Sequence, residues 1–280
     1  AGGRVVARLP GSTLWRRALG KNRAMPTAAG VDHGWTSAAV ISGTGRTLLG
    51  AAVGVVLMGA SFVGSAAVVA VLAVVAVGLA LGWPRLLGLP SPTGSSVVIA
   101  LTGVFAIGSV VAVGTLVPLI AVLGFSVVAA YLHEMVRRDG RPRLTESVSG
   151  TVTGAVAASS AAGWVVVSEV GPPAVLITVA GAALTLSALA ALLPLPRAGA
   201  ARAASVVGLG VGVAAAEVLA GLGTGTGAAV GAGAGLFTSS VRAFFDHYPS
   251  SGRPSASSAI GALPACALGV PSYAISLLFA

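Results

Sequence analysis

Charged side chains are scarce in this sequence. Asp, Glu, Lys and Arg make up 8% of the 280 residues, whereas 56% are hydrophobic. An ordinary soluble domain has about a quarter of its residues charged, so this chain could not cover a soluble fold with polar groups. The mean hydropathy of +0.98 agrees. Together these values exclude a water-soluble fold for most of the chain and indicate that lipid is its solvent.

Cysteine is nearly absent as well. The single Cys266 excludes an internal disulfide and a multi-cysteine metal site, and we expect it to be a small packing residue. The sequence has no P-loop, CxxC motif, nucleophile elbow or paired acidic motif. We therefore expect no cofactor and no metal ion, and an enzyme is a less favoured class. A lipid-modifying enzyme ranks third, because the 133–147 region combines acid, base and cations.

Long apolar runs occupy the chain from residue 47 onward. In lipid, only helices and closed barrels satisfy the backbone, and runs of about 17 to 36 residues without alternation exclude a barrel. The run from 47 to 82 would rise about 54 Å as one helix, against a hydrocarbon core of about 30 Å, so it contains two spans. This argument predicts an all-α transmembrane bundle of eight spans in four hairpins and a ninth C-terminal span, at about 47–63, 66–82, 97–113, 116–135, 147–168, 174–193, 205–221, 225–241 and 259–280.

The last of these runs contains Pro264 and Pro271. Proline inside a helix removes a hydrogen bond and bends the axis. The sequence therefore leaves open whether 259–280 crosses the membrane fully or is re-entrant.

Basic residues predict the orientation of the bundle. With a cytoplasmic amino terminus, all sixteen Lys and Arg fall in the basic segment 1–46 or in the loops near 85, 137–146, 197–202 and 242–255. The outer turns contain one charged residue, Glu169. This distribution follows the positive-inside rule. The net charge of +9 then points to the lipid bilayer, with anionic headgroups at the basic cytoplasmic loops, rather than to nucleic acid. A homo-oligomer or a membrane partner protein stays open.

Two stretches carry a resemblance to known proteins. Residues Gly82 to Pro90 and His133 to Leu144 resemble uncharacterised multi-pass membrane proteins of high-GC actinobacteria, and the Ala, Val, Gly and Arg bias agrees. The resemblance implies a bacterial inner membrane and brings no activity with it.

Glu217 is the one ionisable residue well inside a predicted span. An intramembrane carboxylate is costly unless it is paired or protonated, which makes it a candidate for a substrate or ion pathway. We predict that it faces the bundle interior. The alternative is that Glu217 reaches the outer interface, because its span ends about four residues later.

A second candidate lies at the cytoplasmic end of the fourth span. His133, Glu134, Arg137 and Arg138 form an HExxR pattern, which lacks the second histidine of a zinc site. Glu134 and Arg138 are four apart, so we predict that they pair on a helix surface. The alternative for this group is a gate or lipid-headgroup site at a cytoplasmic mouth. Nearby, the hydroxyl-rich segment 91–96 is expected to cap the third span or to hold an anion.

Gly223, Gly227, Gly231 and Gly235 are spaced by four in the eighth span. Such a stripe allows a neighbouring helix to approach closely, so we predict helix packing here and a more sensitive response to leucine than at Gly54. An unwound segment lining a cavity is the alternative. For the whole chain, a small-molecule or ion permease along the seventh and eighth spans is slightly favoured. A non-enzymatic membrane scaffold or accessory subunit is the alternative.

Overall fold

The computed structural model describes residues 43–169, 173–219, 222–245 and 248–279, and over these ranges it is helical with no strand. The expected segment 1–46 therefore lies almost wholly outside the described residues. The helices are α1 Gly43–Val63, α2 Ser65–Leu87, α3 Pro92–Val113, α4 Pro118–Val136, α5 Leu144–Ser160, α6 Gly163–Val167, α7 Pro173–Ala190, α8 Arg197–Val218, α9 Thr224–Phe245 and α10 Pro254–Leu278. A single 3₁₀ turn, Pro249–Gly252, precedes α10.

Eight helical segments of the described chain are long and apolar enough to cross a membrane. They include α5 and α6 together, which form one segment of 24 residues, Leu144–Val167. The apolar helix Val175–Ala190, within α7, is shorter, so the predicted span 174–193 is the least complete of the nine. The prediction of an all-helical, multi-pass membrane protein is confirmed.

Glycines separate the first two helix pairs. Gly64 has a φ of 134° between α1 and α2, and Gly114 has a φ of 73° after α3. Both values lie in the region that side chains other than glycine rarely adopt. The Gly114 N–H donates to the Val110 carbonyl at 2.8 Å and closes the last turn of α3. The length argument places both breaks correctly.

The helix α10 lies at the centre of the bundle. It packs against α1, α2, α5, α6 and α9, whereas α4 and α8 each have fewer neighbours. Pro271 leaves the Ala267 carbonyl without its helical partner, and the Ser160 hydroxyl donates to that carbonyl at 3.1 Å. A neighbour thus replaces the bond lost at Pro271, and α10 continues through both prolines for 25 residues. At about 37 Å it is long enough to cross a membrane.

The two ends of the bundle differ in charge. At one end, Arg46 donates to the Ser251 hydroxyl at 3.1 Å and Arg143 donates to the Gly88 carbonyl at 3.1 Å. We refer to this as the basic end. At the opposite end, Glu169 lies beside Gly114. One of its carboxylate oxygens is 3.9 Å from the position that a Cβ on Gly114 would occupy. The packing therefore brings arginines from different loops to one end.

Candidate functional site

A buried carboxylate organises the basic end where α4 meets α5. Glu134 is 1% exposed. One of its oxygens accepts a hydrogen bond from the Arg137 guanidinium at 2.6 Å, and the other accepts one from the Ser147 hydroxyl at 2.6 Å. The His133 Nε2 atom lies 4.0 Å from the same carboxylate. The ion pair of Glu134 and Arg137 is thus buried rather than on the surface. Without Arg137, the Glu134 carboxylate would be a buried charge with no partner of opposite sign.

Arg137 replaces Arg138 as the partner of Glu134, which corrects the sequence prediction. The helix α4 ends at Val136, and Arg137 already has an extended backbone with ψ of 135°. The four-residue spacing rule holds only within a helix, so Arg138 leaves the face that carries Glu134. Arg137 also donates to Asp139 at 2.5 Å. This hydrogen bond lowers the pKa of the Asp139 carboxyl and raises the pKa of Arg137.

The segment 137–143, which we name the arginine loop, has a strained backbone. Arg141 and Arg143 adopt φ values of 53° and 56°, a conformation that costs about 1 kcal/mol or more for such residues. The Asp139 carboxylate accepts the Arg141 backbone N–H at 3.1 Å, which helps to hold this shape. A cavity of about 250 Å³ is lined by Arg137, Arg138, Gly140 and Arg141. Guanidinium groups are suited to binding a phosphate.

Polar side chains of α3 lie beneath the arginine loop. Ser91 makes no side-chain cap at the start of α3, so the expected capping is not found at that residue. Instead, Ser95 accepts a hydrogen bond from Thr151 at 2.9 Å. The Ser96 hydroxyl and His133 Nε2 are buried without a hydrogen-bond partner in the described part of the chain. Within segment 91–96, Ser95 and Ser96 therefore face protein, whereas Thr93 is exposed.

Two adjacent cavities lie elsewhere at the basic end. The larger, of about 500 Å³, is lined by Gly43, Thr44, Ala191, Leu192, Leu193, Leu195, Arg197, Ala198, Ala200, Ala201, Ser239, Arg242 and Ala243. The smaller, of about 30 Å³, is lined by Arg46, Thr47, Gly50, Leu184, Ala188, Thr238, Val241, Arg242, Ile260, Gly261, Pro264 and Ala265. Arg242 lines both cavities and donates to the Thr47 hydroxyl at 2.7 Å. We name the two together the basic funnel.

Glu217 does not face the interior, contrary to the prediction. Its side chain is exposed, and its carboxylate accepts a hydrogen bond from the Thr224 hydroxyl at 2.7 Å. The helix α8 ends at Val218, so the carboxylate lies at the turn toward α9. This position agrees with the alternative, in which Glu217 reaches the interface.

The glycine stripe packs α9 against α8. Gly227, Gly231 and Gly235 are buried, and a Cβ added to any of them would come within 3.0 Å of an atom of α8. Gly223 is exposed and precedes α9, which begins at Thr224. It is therefore not part of this contact.

Sequence reasoning missed the other half of this contact. On α8, Ala204, Gly208, Gly212 and Ala216 are buried and are also spaced by four, so the same pattern that identified α9 was available. It also missed the basic funnel. The funnel joins arginines that are distant in sequence, and no local motif links them.

The chemistry that these arrangements offer is cationic. Within the described ranges, no three His, Cys, Asp or Glu side chains come together as metal ligands. Both the arginine loop and the basic funnel present guanidinium groups at one end of the bundle, which favours the binding of anions. Comparison with protein-family models, with curated proteins and with solved structures finds no match to this chain.

Proposed function

We propose that this chain is a permease for a small anionic solute in a bacterial inner membrane, with the basic end and the amino terminus in the cytoplasm. The orientation rests on the positive-inside rule, because the arginines of the described loops gather at one end. The opposite end carries Glu169 and Glu217.

The basic funnel carries the transport proposal. Its larger cavity has the volume of a small-molecule site and contains Arg197 and Arg242. The smaller cavity extends beyond Arg242 toward Pro264 of the central helix. We interpret this order of a wide cavity, a cation and a narrow cavity as the entrance of a closed transport pathway.

Charge in the funnel supports an anion as the solute. Among the residues that the structure describes, Arg46, Arg197 and Arg242 line the two cavities and no Asp or Glu does. An anion entering from the basic end would meet guanidinium groups that replace its hydration shell, whereas a cation would be repelled.

A break in helical bonding lies at the narrow end of the funnel. Pro264 has no N–H, so the Ile260 carbonyl lacks its helical hydrogen bond. Both residues line the smaller cavity. The helix itself continues through Pro264, so a single carbonyl is released there as an acceptor within the cavity wall.

The proposed pathway differs from the one first expected. The α8–α9 contact is closed by glycine backbones, which leaves no space between these helices, and Glu217 is exposed at the far end. We therefore place the pathway among α1, α7, α9 and α10.

Uptake by proteoliposomes tests the proposal. Vesicles containing the full chain would be supplied with radiolabelled phosphate, sulfate or lactate, and with radiolabelled sodium as the cation control. We expect uptake of at least one anion above protein-free vesicles, and its loss in Arg242→Gln. Arg202→Gln removes the same charge at an exposed position of α8 outside the funnel and should leave uptake unchanged.

A non-enzymatic scaffold or accessory subunit is the second candidate. It is favoured by one observation: in the described ranges, the only buried charged residue is Glu134, which lies near the end of α4. Correctly folded protein that transports none of the anions would contradict the permease and favour this candidate.

A further inference from the structure

A groove runs between α3 and α4 on the outside of the bundle. Its volume is about 420 Å³, and it is lined by Val98, Leu101, Thr102, Phe105, Ser109, Val122, Phe125, Ser126 and Ala129. The three hydroxyl groups among these residues all donate to carbonyls of their own helices, those of Val98, Ala106 and Leu123. Because the hydroxyls are already bonded, the groove is chemically an apolar surface.

The groove ends beneath the arginine loop. On α3, Gly94 lies one turn before Val98, and on α4, His133 lies one turn after Ala129. The His133 ring covers Gly94 so closely that a Cβ there would overlap it. This contact closes the groove, and the arginine loop begins one turn further on, at Arg137.

We infer that an anionic phospholipid occupies this place, with its phosphate at the arginine loop and one acyl chain in the groove. Arg137 is committed to Glu134 and Asp139. Arg141 donates from one terminal nitrogen to the Met135 carbonyl at 2.9 Å, and its remaining N–H groups hold the phosphate together with Arg138. Charge complementarity selects an anionic lipid, since Arg138 and Arg141 both line the cavity and neither guanidinium is paired with a carboxylate in the described ranges.

The walls of the groove favour an acyl chain over a partner helix. Contacts between membrane helices are enriched in small residues that let the backbones approach. Phe105 and Phe125 instead project from the two sides and are 65% and 73% exposed. A flexible chain can follow such bulky walls, whereas a second helix would be held away from them.

Lipid titration of the full chain tests this inference. Delipidated protein in detergent is titrated with phosphatidylglycerol and, separately, with phosphatidylcholine, and bound lipid is counted by native mass spectrometry. We expect the first phosphatidylglycerol to bind more tightly than phosphatidylcholine. Arg138→Ala with Arg141→Ala should weaken that preference roughly 25-fold, at roughly fivefold for each arginine near an anionic surface. Arg202→Ala, at the same end of the bundle, should leave the preference unchanged.

The groove is tested by filling it. Ala129→Trp places a large ring among the lining residues and should abolish the first binding event, whereas Ala121→Trp, on the same helix but outside the groove, should not. Equal binding by both tryptophan variants would overturn the inference. If the preference for phosphatidylglycerol is unchanged by removing Arg138 and Arg141, the inference is also overturned. The same holds if inorganic phosphate alone competes with the bound lipid and Ala129→Trp has no effect. The measurement needs no transport activity, so it fails or succeeds independently of the permease.

Discussion

The backbones of Gly212 and Gly227 lie in direct contact between α8 and α9. A methyl group on either glycine would overlap the carbonyl group of the other. Within a membrane, helices gain little from the hydrophobic effect on association and depend on close packing. The paired glycines therefore allow a close approach of the two helices that a side chain at either position would prevent. The helix α8 has few other neighbours, so it depends on this contact for its place in the bundle.

Leucine at this contact should destabilise the protein. We expect Gly212→Leu and Gly227→Leu to lower the stability by roughly 1–3 kcal/mol each through overpacking. Gly210→Leu is the matched control, because Gly210 lies on the same helix with nothing within 4 Å of its Cβ position. Thermal unfolding in detergent measures all three. Gly54 cannot serve as the control, since its Cβ would lie 2.5 Å from the Thr185 hydroxyl. If the three leucine variants unfold at the same temperature, the contact is not tight.

Sequence length rules predicted the helices well because the membrane thickness sets them. The breaks near Gly64 and Gly114 follow from runs too long for one span, and glycine then supplies the backbone conformation. Side-chain pairing was harder to predict. Arg137 rather than Arg138 pairs with Glu134 because α4 ends at Val136, two residues before Arg138, and helix ends are the least certain feature of a sequence pattern.

Glu217 shows a different limit of sequence reasoning. The prediction of an interior position rested on its apolar neighbours, but a residue one turn from a helix end can reach the interface whatever surrounds it. The basic funnel lay beyond local patterns altogether. Arg46, Arg197 and Arg242 come together only through the packing of five helices, which depends on contacts that no single segment encodes.

Removing Arg137 should cost far more stability than removing its neighbour. Arg137→Ala leaves Glu134 buried without its cation, which is strongly destabilising. Arg138→Ala removes an exposed arginine from the adjacent position and should change stability by less than about 0.5 kcal/mol. Thermal unfolding of the two variants in detergent gives the comparison.

The double variant Glu134→Met with Arg137→Met separates a lost ion pair from lost packing. Replacing both partners of a buried pair by apolar residues is often neutral or stabilising, so we expect it to recover most of the loss seen in Arg137→Ala. Equal effects of Arg137→Ala and Arg138→Ala would contradict the buried pair.

Labelling of single cysteines should show which end of the bundle is cytoplasmic. In a Cys266→Ala background, Arg138→Cys places a thiol at the basic end and Thr115→Cys places one at the opposite turn; both positions are exposed. The positive-inside rule keeps arginine-rich loops in the cytoplasm. We therefore expect a membrane-impermeant maleimide to label Thr115→Cys in intact cells, and Arg138→Cys only after the cells are permeabilised. Cys266 itself is fully buried, so its replacement by alanine removes background without altering the surface. Labelling of Arg138→Cys from outside, with Thr115→Cys protected, would reverse the orientation and place the mouth of the basic funnel on the outer face.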